Sequence, residues 1–219
     1  MTPTTTARAF PALLAAIAWF AVFLQLWLSI RLGFANGKSL MGGLVAFFGY
    51  FTVVTNIFVA LVATAGALAR NPAAPHWLYR PSAVGCATTA ILIVGIVYHL
   101  LLRKVWSPQG AQLLADVLLH YVVPGGTLLH WLAYRHPERL AARAVLAWCL
   151  YPLAYVVYAL ARGEVLGAYP YPFIDVTALG YRQVLVNAVG LMLGFIGLGF
   201  IVLALSRLAP PSRARPTRS

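Results

Sequence analysis

The fold class this sequence predicts is all-α: an integral membrane bundle of six transmembrane helices with both termini in the cytoplasm. Three observations carry it. Of 219 residues, 62% are hydrophobic and only 9% charged, whereas soluble proteins run at about 45–50% apolar and about 25% charged. Six apolar runs recur along the chain, each near the roughly 20 residues that cross a bilayer core of about 30 Å. The Lys and Arg residues behind the net charge of +12 lie between and beyond those runs, as in a membrane protein whose loops meet lipid headgroups.

The runs are Phe10–Ile30, Leu44–Ala69, Ser82–Leu102, Gln112–Ala133, Ala141–Ala161 and Gln183–Ser206, which makes residues 1–206 a single membrane domain. The first follows Arg8 and is too long for the apolar core of a secretion signal, about 7–15 residues, with no small-residue cleavage site behind it. It is therefore expected to stay as the first span. Arg8, Arg70, Arg80, Arg135, Arg139, Arg143, Arg207, Arg213, Arg215 and Arg218 fall on the side of the termini, and Arg31, Lys38, Arg103, Lys104, Arg162 and Arg182 on the other. The positive-inside rule then places both termini in the cytoplasm, in a multi-pass protein of the cell (inner) membrane.

Residues 207–219, basic and rich in Pro and Ser, are expected to be a disordered tail against anionic inner-leaflet lipids. With the basic charge explained in this way, nucleic acid is not expected as a partner. Two cysteines, Cys86 and Cys149, indicate neither a disulfide framework nor a thiolate metal site. The fifth connection contains Ala168-Tyr-Pro-Tyr-Pro-Phe-Ile-Asp175, whose prolines cannot continue a helix. Its aromatic rings suit the interface, and we expect a structured cap over the outer end of the bundle.

Polar side chains inside a span are costly and mark function by default. Here they collect in the outer half: Gln25 on the first span, Thr52 and Asn56 on the second, His99 on the third, Asp116 and His120 on the fourth, Tyr155 and Tyr158 on the fifth, Asn187 on the sixth. Asp175 ends the cap segment. Thr52 and His120 each stand about eight residues into their runs, which at 1.5 Å per residue puts both about 12 Å deep. Asp116 and His120 are four apart, as are Thr52 and Asn56, so each pair shares a helix face.

A carboxylate beside an imidazole orients it, and a neutral imidazole can deprotonate a hydroxyl. Asn56, Asn187 or a tyrosine hydroxyl could supply a donor to a developing oxyanion. The set describes acyl transfer with no metal and no cofactor. Plainer roles exist for each member: a buried Thr commonly bonds its own helix carbonyl, and a lone intramembrane His commonly ties two helices together. Pro124 is expected to kink the fourth span.

Phe51-Thr52 near the start of the second span, His120 followed by Pro124 in the fourth, and the tyrosine-rich fifth span leading to Tyr169-Pro-Tyr-Pro-Phe together resemble the androgen-induced protein family, over spans two to five. The resemblance implies a six-span membrane hydrolase of fatty-acid esters of hydroxy fatty acids. In it Thr52 would be the nucleophile and His120 its partner. The His-to-Pro spacing of four is one residue shorter than in the animal members, and the Ala- and Arg-rich composition points to a bacterial member. Asp116 and Asn56 enter from spacing alone.

The reading is thus an intramembrane hydrolase of a lipid-like ester, with membrane lipids as its surroundings. Two other classes fit parts of the pattern: a small-molecule or lipid transporter, for which no internal repeat is visible, and an electron-transfer protein with haem between His99 and His120. The two histidines differ in depth by roughly 7 Å at 1.5 Å per residue, which counts against that pairing.

Overall fold

The computed structural model describes residues 5–69, 76–133 and 140–207. Among the described residues every regular element is a helix, and six helices are long and apolar enough to cross a membrane: Arg8–Ala35, Phe51–Leu68, Pro81–Leu102, Gly110–Ala133, Arg143–Leu166 and Val176–Leu205. The chain is therefore an all-α bundle of membrane-spanning character. His136, Arg70, Arg135, Arg139 and the tail from 208 onward lie outside the described residues, and with them the expected contact of the tail with anionic lipid.

The first span is α1 (Thr5–Ala35). The apolar run from Leu44 is not one helix. It divides into α2 (Leu40–Phe48), capped by the Ser39 hydroxyl accepting from the Gly42 amide at 3.2 Å, and α3 (Phe51–Leu68), with a break at Gly49 and Tyr50. Depth counted from Leu44 therefore does not apply to Thr52, which is the second residue of α3. The short α2 folds back on α1 so closely that a Cβ on Gly43 would lie 2.9 Å from the Ile30 Cα.

The third span is α4 (Pro81–Val97), opened by a proline at its first position, where the missing N–H is not needed. It continues into a π-helical turn, Tyr98–Leu102. The fourth is α5 (Gly110–Val117), a second π-helical turn over Leu118–Val122, and α6 (Val123–Ala133). The fifth is α7 (Arg143–Trp148) and α8 (Leu150–Leu166), ended by Gly167 at φ +63°, a left-handed conformation that glycine adopts freely. The sixth is α9 (Val176–Leu205), whose Asp175 cap accepts from the amides of Thr177 at 2.9 Å and Ala178 at 3.3 Å.

Association of apolar helices in lipid depends on close packing, because the surroundings are as apolar as the helices. Accordingly α1 meets α3 through small buried residues, Ala18 clustering with Ala60 and Ala15 with Ala63, and α4 runs through the centre with Ala87 and Ala90 fully covered. Trp131 on α6 donates its indole N–H to the Val202 carbonyl at 2.9 Å, so the fourth and sixth spans are tied at their far ends. Of the sixth-span glycines, Gly199 packs against Val145, whereas Gly190 and Gly197 face open space.

Candidate functional site

Three breaks in helical regularity meet at one place. The α2–α3 break puts Thr52 at a helix start, and the two π-helical turns carry Tyr98 and His120. π-turns concentrate at functional sites because the extra residue re-aims side chains that a regular helix would point elsewhere. In the fourth span the Val123 amide reaches back to the Leu118 carbonyl, five residues away, and Pro124 offers no N–H to the carbonyl of His120. That carbonyl faces Gly95 of α4, where a Cβ would stand 2.9 Å from it.

Thr52 Oγ1 lies 3.4 Å from His120 Nε2. On the other side of the ring, His120 Nδ1 lies 2.9 Å from the backbone carbonyl oxygen of Asp116 and 3.3 Å from Asp116 Oδ1. A carbonyl oxygen can only accept, so in the neutral ring Nδ1 carries the proton and Nε2 presents its lone pair to the threonine hydroxyl. Asp116 is 4% exposed, and its other carboxylate oxygen accepts a short hydrogen bond from the Tyr98 hydroxyl. The Tyr98 ring in turn stacks on the His120 ring, with centroids 3.8 Å apart and planes at 14°. Asp116 and Tyr98 together hold the imidazole from its edge and its face.

Asn56 shares a face with Thr52, but its amide is committed to structure. Its NH₂ donates to the Thr52 carbonyl at 2.8 Å and the Leu119 carbonyl at 3.3 Å, which fixes α3 against the fourth span. The other proposed donors are committed elsewhere too. Asn187 donates to the Phe173 carbonyl at 2.8 Å and accepts from Gln183 at 2.9 Å. Tyr155 and Tyr158 donate to the carbonyls of Gly49 at 2.9 Å and Phe48 at 3.3 Å, bracing the α2–α3 break from the fifth span. His99 is exposed and pairs with the Tyr121 hydroxyl at 3.2 Å. Asp175 caps α9, and its carboxyl is held below the usual range first by the Thr177 hydroxyl and then by the amides it accepts from.

The cap segment supplies a residue that the sequence reading did not single out. Tyr171, held between Pro170 and Pro172 in extended backbone, is buried, and its hydroxyl accepts from the Thr52 amide at 3.2 Å and lies 3.4 Å from Thr52 Oγ1. Burial raises its phenol above the usual range, against an opposing effect of the Thr52 hydrogen bonds. The two flanking prolines were the legible signal, since an X-Pro-X-Pro backbone has few conformations to choose among.

Two cavities meet at Thr52 and Tyr171. One, of about 510 Å³, is of mixed character: its walls are largely apolar, with Gln25, Lys38, Gln112, Asp116 and His120 set among them. Gln112 donates to Gln25 at 3.0 Å, which donates on to Ser29 at 3.2 Å, so the first and fourth spans share this wall. The other, of about 90 Å³, is apolar and runs between the third, fifth and sixth spans, past Val97, Val156, Ala188 and Phe195. Among the described residues, no three His, Cys, Asp or Glu side chains converge as a metal-binding group.

Compared with protein-family models, curated proteins and solved structures, the chain matches none. Any functional reading of this site rests on the chain's own residues.

Proposed function

We propose that this protein hydrolyses a lipid ester within the membrane, with Thr52 as nucleophile and His120 as general base and acid. The observation that carries the reading is the Thr52–His120 contact where an apolar cavity meets a larger one that holds polar side chains, with the base nitrogen turned toward the hydroxyl. An ester is the group such a junction suits, because its acyl chain and its alcohol part differ in polarity and its carbonyl lies between them. Hydrogen bonds between nucleophile and base are often long before substrate binds, so 3.4 Å is within reach.

In the proposed course, Thr52 Oγ1 bonds to the acyl carbon as its proton passes to His120 Nε2. The ester C–O bond then breaks, and the alcohol leaves with that proton. A water attacks the acyl-threonine, giving its proton to His120; the Thr52–acyl bond breaks, the acid departs, and the proton returns to Thr52. Asp116 and Tyr98 act as positioning residues for the imidazole. With both termini cytoplasmic, the reaction lies toward the outer leaflet, where lipid and water are both at hand. This is the chemistry that the androgen-induced family resemblance implies, with a fatty-acid ester as substrate.

The test is labelling of the purified, detergent-solubilised protein with a fluorophosphonate, which reports an activated hydroxyl by displacement of fluoride. Labelling of the wild type at Thr52, lost in Thr52→Ala and in His120→Ala while both stay folded, is the expected result. A wild type that is unlabelled under conditions that label a known membrane hydrolase overturns the reading. Uptake in proteoliposomes then becomes the next assay, since a transporter would use the larger cavity without needing the hydroxyl.

A further inference from the structure

Hydrolysis at Thr52 would need more than a nucleophile and a base, because negative charge develops on the carbonyl oxygen and must be met by a donor placed in advance. Accounting for the donors around Thr52 leaves few. The Asn56 NH₂ is spent on two carbonyls, the Asn187 NH₂ on the cap, and the Tyr155 and Tyr158 hydroxyls on the α2–α3 break. Tyr98 gives its proton to Asp116. Tyr171 is different. It accepts from the Thr52 amide, so its own proton is directed elsewhere, and Thr52 Oγ1, 3.4 Å away, is an acceptor within its reach.

We infer that Tyr171 is a catalytic residue of this site, its hydroxyl donating to the oxyanion formed when Thr52 adds to the substrate carbonyl. The inference rests on the hydrolase reading above. The Asp116 carbonyl can only accept, which puts the proton on His120 Nδ1 and leaves Nε2 to accept from Thr52 O–H; with that proton turned to the imidazole, the contact at 3.4 Å is one in which Tyr171 O–H donates to Thr52 Oγ1. Once Oγ1 is bonded to the acyl carbon it becomes a poor acceptor, while the neighbouring oxyanion becomes a strong one. The Tyr171 proton then turns to the oxyanion without its ring having to move.

A long, weak contact in the ground state that becomes a charge-assisted bond in the transition state is the difference that accelerates a reaction. The Thr52 amide, at the positive end of α3, would hold the phenol oxygen in place and favour negative charge nearby. Burial keeps the phenol protonated over the ordinary pH range, as a donor must be. The cap has a corresponding role: Tyr171 lines both cavities, so the segment that closes the end of the bundle also completes the reaction centre.

The experiment measures steady-state hydrolysis of a p-nitrophenyl ester of a medium-chain fatty acid by the full chain in detergent, for the wild type, Thr52→Ala and Tyr171→Phe. The phenylalanine keeps the ring that separates the cavities and removes the donor. A fall in kcat of about 10²-fold or more, with KM within a few-fold of wild type, is expected from loss of one oxyanion donor. Wild-type kcat in Tyr171→Phe, with Thr52→Ala inactive, overturns this inference and leaves the hydrolase reading standing. Wild-type activity in Thr52→Ala overturns both. If Tyr171→Phe does not fold, 2,3,5-trifluorotyrosine at position 171 keeps the ring and hydroxyl but ionises at lower pH. The expected sign is then a loss of kcat on raising pH that the wild type does not show, and an unchanged pH profile overturns the inference.

Discussion

Adding a single methyl group at Gly95 tests whether the placement of His120 matters at the level the geometry suggests. A Cβ there would stand 2.9 Å from the His120 carbonyl oxygen and 3.5 Å from the Pro124 side chain. About 0.5 Å must open before the carbonyl contact reaches ordinary van der Waals separation. Pro124 removes the i+4 hydrogen bond that would otherwise hold this carbonyl, so the π-turn carrying His120 is the part that gives way. Misplacement of a catalytic group by 1 Å can cost about 10²-fold in rate, so half of that predicts a kcat lower by about 10-fold for Gly95→Ala. The helix itself gains about 1 kcal/mol of propensity from the same change, against about 1–3 kcal/mol lost to overpacking, a net loss of about 0–2 kcal/mol. Activity measured on the folded protein should therefore fall while thermal stability drops modestly at most. Gly125→Ala and Gly190→Ala, where a Cβ meets nothing within 4 Å, are the controls. The assay is p-nitrophenyl ester hydrolysis beside a thermal unfolding scan in the same detergent. Full activity in a folded Gly95→Ala would refute the claim that the two spans position the imidazole through this contact.

Three further outcomes follow from other contacts. Tyr98→Phe leaves a buried Asp116 oxygen without its donor, at a cost of about 1–3 kcal/mol in stability; it should also lower kcat more than it raises KM and shift the pH profile of kcat, which a purely structural role would not do. Ala188→Trp fills the apolar cavity, and in a chain-length series of p-nitrophenyl esters it should move the preference toward shorter acyl groups while leaving the shortest ester unaffected. Asp175→Ala removes the α9 cap and should lower thermal stability at neutral pH. Because the Asp175 carboxyl is held below its usual range, its contribution is fully present above about pH 4 and is lost as pH falls through the depressed value. The difference between wild type and variant should therefore shrink in acid.

Much of the architecture can be read from hydropathy, because a span in lipid has to be apolar over a fixed length. The proximity of Asp116 to His120 was likewise readable, as helical periodicity places residues four apart on one face, and the structure has His120 Nδ1 3.3 Å from Asp116 Oδ1. What periodicity could not convey are its interruptions. The run from Leu44 contains no residue that forbids a helix, yet the chain breaks at Gly49 and Tyr50, where the Tyr155 and Tyr158 hydroxyls from the fifth span satisfy the carbonyls of Gly49 and Phe48. Asn56 and Asn187 were credible oxyanion donors on composition, but which carbonyl an amide binds is a tertiary fact, and both are committed to backbone. Tyr98 went unnoticed for a similar reason. Its stacking on His120 depends on two π-turns facing each other from different spans, a register that neither segment announces.

Those two turns make the site sensitive to length in a way that its fold is not. Each accommodates one residue more than an α-helical turn would. Removing one residue between Leu118 and Val122 would let the fourth span close up as continuous α-helix, still apolar and still long enough to cross a bilayer. Because the π-turn absorbs that extra residue, the helix on either side would keep its place, while the side chains inside the turn would be re-aimed. Asp116 and Pro124 would stay where they are, but the imidazole would no longer be presented to Thr52 between them. A shortening by a single codon would thus leave a bundle that inserts and packs but has lost the alignment of its base, whereas most substitutions on the lipid-facing side would leave that alignment alone. Among natural or engineered relatives, then, the length of this segment should sort active from inactive chains more sharply than overall sequence identity does.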